Sequence, residues 1–321
     1  MLQVSRPNRP KVGLLLNQEE EPGTSTPRWS DMLAVATDSE SIGVDSLWPV
    51  DHFLWPVDPW RREMVLGGEG TISGRSTFGV WESWTTLAAL AAVTTRVQLG
   101  TLVTCTGFRN PALLAKMADS VDEISGGRLT LGLGSGDTPD EHRMFGYSSD
   151  RLISRFEEAL AIILPLLRGE TVDFEGEFYA ARECELQPRG PRQEGPPILI
   201  GSLATGPRML RLVAQHADIW NAWITDRSHP TAVPPLMEAV DASCAKHGRD
   251  PTTLRRTAAV AVALSGPMTE RPGIITGSVE EIATTLRAFG AVGIDEVQVR
   301  LFPTNQGSIE FFGGVVGSLD H

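Results

Sequence analysis

Short runs of Val, Leu and Ile alternate with amphipathic stretches along almost the whole chain. The run VGLLL (12–16) predicts a strand and 29–42 a helix; VDSLW (44–48) predicts a second strand and 81–93 a helix. VQLGTLV (97–103) and RLTLGLG (128–134) follow as strands three and four, with a helix at 111–124 between them and another at 150–168. PILIG (197–201), DIWNAW (218–223), TAAVAVAL (257–264) and EVQVRL (296–301) complete a set of eight, with helices at 206–216, 231–247, 278–290 and 307–318. These strands are nearly continuous apolar runs, the pattern of a parallel sheet covered on both faces. Eight strand–helix pairs predict an α/β fold of the TIM (β/α)8 barrel type, with an open doubly wound sheet as the competing arrangement. Two insertions break the alternation: a Pro-, Gly- and aromatic-rich loop at 49–80, and 170–196, which predicts a small hairpin and a proline-rich connector. Neither a repeat nor a shift in composition divides the sequence, so 1–321 reads as a single domain.

Composition narrows the classes of function. The 321 residues are 41% hydrophobic and 21% charged, as in water-soluble globular proteins. No apolar run is long enough to span a bilayer, and the opening MLQVSRPNRP lacks the apolar core of a secretion signal. A formal charge of −12 disfavours nucleic acid as a partner. Cys105, Cys184 and Cys244 are odd in number and widely spaced, which fits neither a disulfide framework nor a zinc site and suits a reducing cytoplasm.

In a barrel, chemistry collects at the C-terminal ends of the strands. The second strand ends at Asp51-His52-Phe53, the third at 104–110, the fourth at Gly134-Ser135-Gly136-Asp137 and the fifth at 201–206. Residues 97–147 are the richest part of this set, running strand, helix, strand and then a glycine-rich loop with an acid. His52 is a candidate proton carrier, or an imidazole steadying an anionic ring, against a plain structural histidine. In GLGSGDTPDEH (132–142) the glycines allow backbone to approach a flat ligand, and Asp137 stands where a carboxyl could give or take a proton. A metal site from Asp137, Asp140, Glu141 and His142 is disfavoured, because consecutive residues after a proline seldom converge on one ion. Asp140, Glu141 and His142 read instead as the opening of a short helix, where acids suit the dipole.

The turn from Gly201 to Arg208 enters a helix near Pro207, and is either an anion cradle or an ordinary β-to-α turn. Five of the eight tryptophans, Trp48, Trp55, Trp60, Trp81 and Trp84, fall between 48 and 84. Trp81 and Trp84, three apart on a helix, point to core or subunit contact. Trp55 and Trp60, with Phe78, are the better candidates for an apolar substrate pocket.

The stretches VDSLWPVDHF, TTRVQLGTLVTCTGFRNPALLAKMADSVDEISGGRLTLGLGSG, EEALAIILPLLRGETVDFEGEFY, PPILIGS and HADIWNAW together resemble the luciferase-like monooxygenase superfamily, in its branch that uses the deazaflavin coenzyme F420. The resemblance covers nearly the whole chain. It implies a barrel with the cofactor across the strand C-termini, and His52 near the reactive carbon. It also implies a bulge with a non-proline cis peptide at Leu102-Val103, next to Thr104. Asp137 matches the acid after strand four, where many relatives carry Trp. Trp55 matches an aromatic after the Asp-His pair. Gly201, Ser202, Thr205 and Arg208 match a phosphate cradle, and Glu19 an acid after strand one. Cations for an oligoglutamate tail would be Arg109, Arg208 and Arg227.

These readings lead to an F420-dependent oxidoreductase that moves a hydride to or from a small organic substrate held under loop 49–80, with His52 and Asp137 managing protons. A two-component FMN-dependent monooxygenase, served by a separate reductase, is the alternative, and a barrel that binds cofactor without turnover is a third. The resemblance further implies a homodimer through the helices after strands two and three.

Overall fold

The computed structural model describes residues 9–20, 26–56, 77–202 and 206–320. Strand β1 (Lys11–Leu15) leads to helix α1 (Trp29–Ser41), strand β2 (Ser46–Trp48), the short strands β3 (Leu54–Pro56) and β4 (Thr77–Gly79), and helix α2 (Ser83–Val93). Next come β5 (Gln98–Gly100), β6 (Thr104–Cys105), α3 (Pro111–Ser125), β7 (Leu129–Gly134), α4 (Pro139–Met144) and α5 (Leu152–Leu167). Strands β8 (Val172–Glu175) and β9 (Ala180–Cys184) form the hairpin expected within 170–196. The chain continues through β10 (Ile198–Ser202), α6 (Pro207–His216), β11 (Ile219–Trp223), α7 (Pro234–Lys246), β12 (Arg255–Ala263), α8 (Val279–Ala291), β13 (Glu296–Phe302) and α9 (Gln306–Ser318).

Eight strands pair in parallel in the order β1, β2, β5, β7, β10, β11, β12, β13, and β13 pairs back onto β1. The ring is closed, so the barrel expectation holds and the open sheet does not. Alternation sorts each strand between two apolar environments. Val12, Leu14, Val297, Val299 and Leu301 pack into the main core with α1, α8 and α9 residues, while Leu15, Trp48, Leu102, Leu199, Ile219 and Ala259 form a separate inner cluster. Helix ends follow local chemistry. Asn110 caps α3 by accepting from the Ala112 and Leu113 N–H groups, Pro111 occupies its first turn, and Gly126 ends it in the left-handed region at φ 67°. Among the described residues no helix is long and apolar enough to cross a membrane.

The third strand departs from its expected form. Periodicity predicts one run over 97–103; the structure breaks it after Gly100 and resumes at Thr104, with a cis peptide bond at Leu102-Val103, where the resemblance puts it. The intervening bulge dips toward the barrel axis, and glycines make the room. A Cβ on Gly132 would lie 1.9 Å from the Thr101 carbonyl oxygen, and one on Gly134 or Gly201 would meet the Val103 side chain at 2.6 or 3.0 Å. The Thr104 hydroxyl bonds to that of Thr101 at 2.5 Å, which ties the two sides of the bulge.

The exit of β2 is clamped from behind. Asp51 is almost fully buried, and its carboxylate accepts from Arg109 Nη1 at 2.7 Å and Nη2 at 2.8 Å, from the Ser83 hydroxyl at 2.6 Å and from the Cys105 N–H at 2.9 Å. Arg109 also reaches Glu82 at 2.6 Å. Burial works against the charge on Arg109, but Asp51 and Glu82 outweigh it and hold the guanidinium protonated. Gln18 adds a second clamp: its Nε2 donates to the Val50 and Trp81 carbonyls at 2.9 and 2.6 Å, and its Oε1 accepts from the Val50 N–H at 3.1 Å. Asp51 thereby joins β2, β6 and α2. Arg109 is correspondingly not a cation at the barrel mouth; its side chain is 9% exposed and committed to two carboxylates.

Three outcomes follow from this packing. Gly132→Ala should destabilise the protein by about 1–3 kcal/mol or more, because backbone must move. Gly317→Ala in α9, where nothing lies within 4 Å, should stabilise by roughly 0.5–1 kcal/mol. Asp51→Ala strands a buried guanidinium and should remove about 3–5 kcal/mol. Urea unfolding of the three variants checks them, and a neutral Gly132→Ala or Asp51→Ala would contradict the packing.

Candidate active site

Asp51 and His52, adjacent in sequence, meet different partners: Asp51 meets Arg109, Ser83 and Cys105, and His52 meets Glu141 and Trp55. With Asp51 turned into its clamp, His52 turns toward the strand ends. Its Nδ1 lies 2.9 Å from Glu141 Oε2, and the imidazole side chain is 16% exposed while Glu141 is fully buried. The Trp55 ring sits 3.8 Å away, centroid to centroid. Glu141 also receives the backbone N–H of Phe53, and that of Leu54 at 3.2 Å. One carboxylate thus holds both the imidazole and the two residues that follow it.

Glu141 belongs to α4, six residues beginning with Pro139. Its acids lie in the first turn, as the dipole argument expects, yet Glu141 and His142 are wholly buried. A column of rings binds this helix down: Phe53 lies 4.6 Å from Phe108 and 4.5 Å from Phe145, and Phe108 lies 4.6 Å from His142. His142 Nδ1 faces the Ser148 carbonyl at 2.9 Å, and Nε2 faces Cys105 Sγ at 3.6 Å. Burial lowers the His142 pKa despite the Ser148 carbonyl and nearby acids, and burial together with the Asp51 charge raises that of Cys105. Both shifts favour neutral partners, so the thiol donates to Nε2 while Nδ1–H donates to Ser148. A Cβ on Gly136 (φ +86°) would fall 2.7 Å from Cys105 Sγ and 2.9 Å from His142 Nε2, so this glycine packs on that pair.

The other expected residues are placed as follows. Asp137 is exposed just before α4 and accepts from the Thr138 hydroxyl at 2.9 Å. Ser135 is half-buried, and Gly134 and Gly201 lie under Val103. Leu102 is buried in the inner cluster with Val103 at its edge, and Thr104 is buried with its hydroxyl on Thr101. Trp55 and Phe78 face each other across the β3–β4 pair and join the inner cluster, forming a wall of the barrel mouth. Trp84 is core, whereas Trp81 is exposed with Nε1 on the Pro27 carbonyl at 2.7 Å. Ser202 ends β10, and Arg208, exposed in the first turn of α6, pairs with Glu157 and with the Ser154 hydroxyl of α5. Trp60 and Thr205 lie outside the described residues. Arg227 is exposed in the loop after β11. Glu19 is buried and meets Arg300 of β13 at 2.8 Å.

Asp137 and Asp140 are exposed while Glu141 and His142 are buried on other partners, so the four do not converge on an ion. Among the described residues no group of three or more His, Cys, Asp or Glu is placed to hold a metal. The sequence reading missed Glu141 and His142 as site residues. The only signal available was the aromatic set around them, Phe53, Phe108, Phe145 and Tyr147, whose convergence is not visible from spacing.

Comparison with known proteins shows the fold and the family. The phthiodiolone/phenolphthiodiolone dimycocerosates ketoreductase of Mycobacterium sp. (strain JLS) is 32% identical over 266 residues, 80% of this chain and 66% of that protein. The F420-dependent hydroxymycolic acid dehydrogenase of Mycobacterium tuberculosis (strain ATCC 25618 / H37Rv) is 31% identical over 253 residues, 77% of this chain and 61% of that one. This chain therefore matches a little under two thirds of the length of these relatives. A solved F420-dependent secondary alcohol dehydrogenase, in complex with an F420-acetone adduct, matches with TM-score 0.78 at 17% identity, over 97% of this chain and 99% of that one, a likeness of fold. The family model for luciferase-like monooxygenases matches residues 11–271, and the chain belongs to that family.

Proposed function

We propose that this protein is an F420-dependent oxidoreductase that interconverts an apolar alcohol and its carbonyl compound. One observation carries the reading: an imidazole fixed by a buried carboxylate stands at the barrel mouth beside the bulged third strand and an aromatic wall. The relatives named for F420, ketone reduction and hydroxy-acid dehydrogenation support the same chemistry. The donor set suits a flat ring. Backbone at 101–104 enters the barrel over three glycines, and Trp55, Phe78, Val80 and Trp223 supply apolar surface nearby. When bound, F420 supplies two-electron hydride chemistry.

The chain's own residues would then orient and manage protons. His52 Nε2 takes the hydroxyl proton as the alcohol becomes a carbonyl, and returns one in the reverse direction. Asp137, exposed at the same mouth, is the second candidate for that exchange. The turn from Gly201 into α6, with Arg208, is read as the phosphate contact, and Arg227 as a cation for the acidic tail. We read α2 and α3 as the face of a homodimer, since Val93, Leu113 and Ile124 leave apolar side chains exposed there. The second reading, an FMN-dependent monooxygenase, rests on the family's own description.

Fluorescence titration with F420 and FMN side by side separates the two: tight binding of F420 and weak binding of FMN is the expected result, and the reverse would favour the second reading. With F420 bound, His52→Ala should lower kcat by about 100-fold or more while the cofactor Kd changes little. Equal losses in both would remove His52 from the chemistry.

A further inference from the structure

The contact between His52 and Glu141 decides more than where the ring lies. A neutral imidazole carries its hydrogen on one nitrogen, and the partner of the other end selects which. A carboxylate only accepts hydrogen bonds. Glu141 Oε1 is already taken by the Phe53 and Leu54 N–H groups, and Oε2 faces His52 Nδ1 at 2.9 Å. The hydrogen therefore belongs on Nδ1. Among the described residues Nε2 has no protein hydrogen-bond partner, and the His52 side chain is 16% exposed. We propose that Glu141 is a positioning residue that holds His52 in the Nδ1–H tautomer, so that Nε2 presents a lone pair to the hydroxyl hydrogen of a substrate.

The proposal deepens the reading of His52 as a proton carrier and rests on it for its catalytic meaning. The tautomer itself depends only on this chain. Two features argue that Glu141 is built for the task. It is fully buried, 89 residues from His52 in sequence, and among the described residues its hydrogen bonds go to His52 and the two residues that follow it. The ring column of Phe53, Phe108, Phe145 and His142 then fixes α4 against that segment, so the carboxylate has little freedom to turn away.

Glu141→Gln is the discriminating change. Its amide oxygen can still accept from Phe53 and Leu54, which preserves the loop. Its NH2 then faces Nδ1 and donates, which moves the imidazole hydrogen to Nε2. Protein labelled with 15N-histidine, without cofactor and at a pH well above histidine titration, should show a protonated Nδ1 and an unprotonated Nε2 for His52. The His52 signal is assigned by its loss in His52→Ala. Glu141→Gln should exchange the two, with kcat reduced by about 10-fold or more and F420 Kd nearly unchanged. A wild-type spectrum with Nε2 protonated, or the same pattern in both proteins, would overturn the proposal; the wild-type spectrum decides even if Glu141→Gln fails to fold. A correct tautomer in a protein that does not bind F420 would instead count against the cofactor reading alone.

Discussion

A buried carboxylate has to be satisfied on every side, and at Asp51 it is. Two bonds from Arg109, one from Ser83 and one from the Cys105 backbone surround it, in a place where an unpaired charge would be severely unfavourable. That requirement fixes the direction of residue 51, and the next side chain, His52, is held separately by Glu141 and beside Trp55. The position of His52 follows from the clamp on the residue before it and from its own bond to Glu141. Gln18 acts on the same segment through Val50, so the strand exit is held from two neighbouring strands at once.

A second constraint shapes the floor beside it. The segment from Thr101 to Val103 leaves the line of the third strand, its Thr101 carbonyl over Gly132 and its Val103 side chain over Gly134 and Gly201. No residue with a Cβ could occupy position 132 without moving the Thr101 carbonyl. The glycines anticipated as room for a ligand therefore serve first as room for the protein's own chain. Gly136 does the same for the Cys105–His142 pair.

Much of the architecture was legible before any coordinates. Strand and helix positions follow from near-continuous apolar runs and capping residues, and helices such as 111–125 match their expected span almost residue for residue. His52, Trp55 and the 102–103 bulge were visible through strand-end position and family resemblance. What escaped depends on contacts between distant parts of the chain. Arg109 reads as a surface cation until Asp51, 58 residues away, is seen to claim it. Glu141 reads as a solvated first-turn acid, because the dipole explains it without burial. The interruption of the third strand is likewise hidden, since LGTLV keeps the apolar character of an unbroken strand.

In the function proposed, an F420 ring would rest on the 101–104 bulge with its reactive edge toward His52 Nε2. A crystal structure of the protein soaked or grown with F420 tests it most directly. The expected result is the ring against Leu102, Val103 and Thr104 backbone, with the His52–Glu141 contact intact. A ring bound away from the bulge, or His52 rotated off Glu141 in the complex, would contradict it.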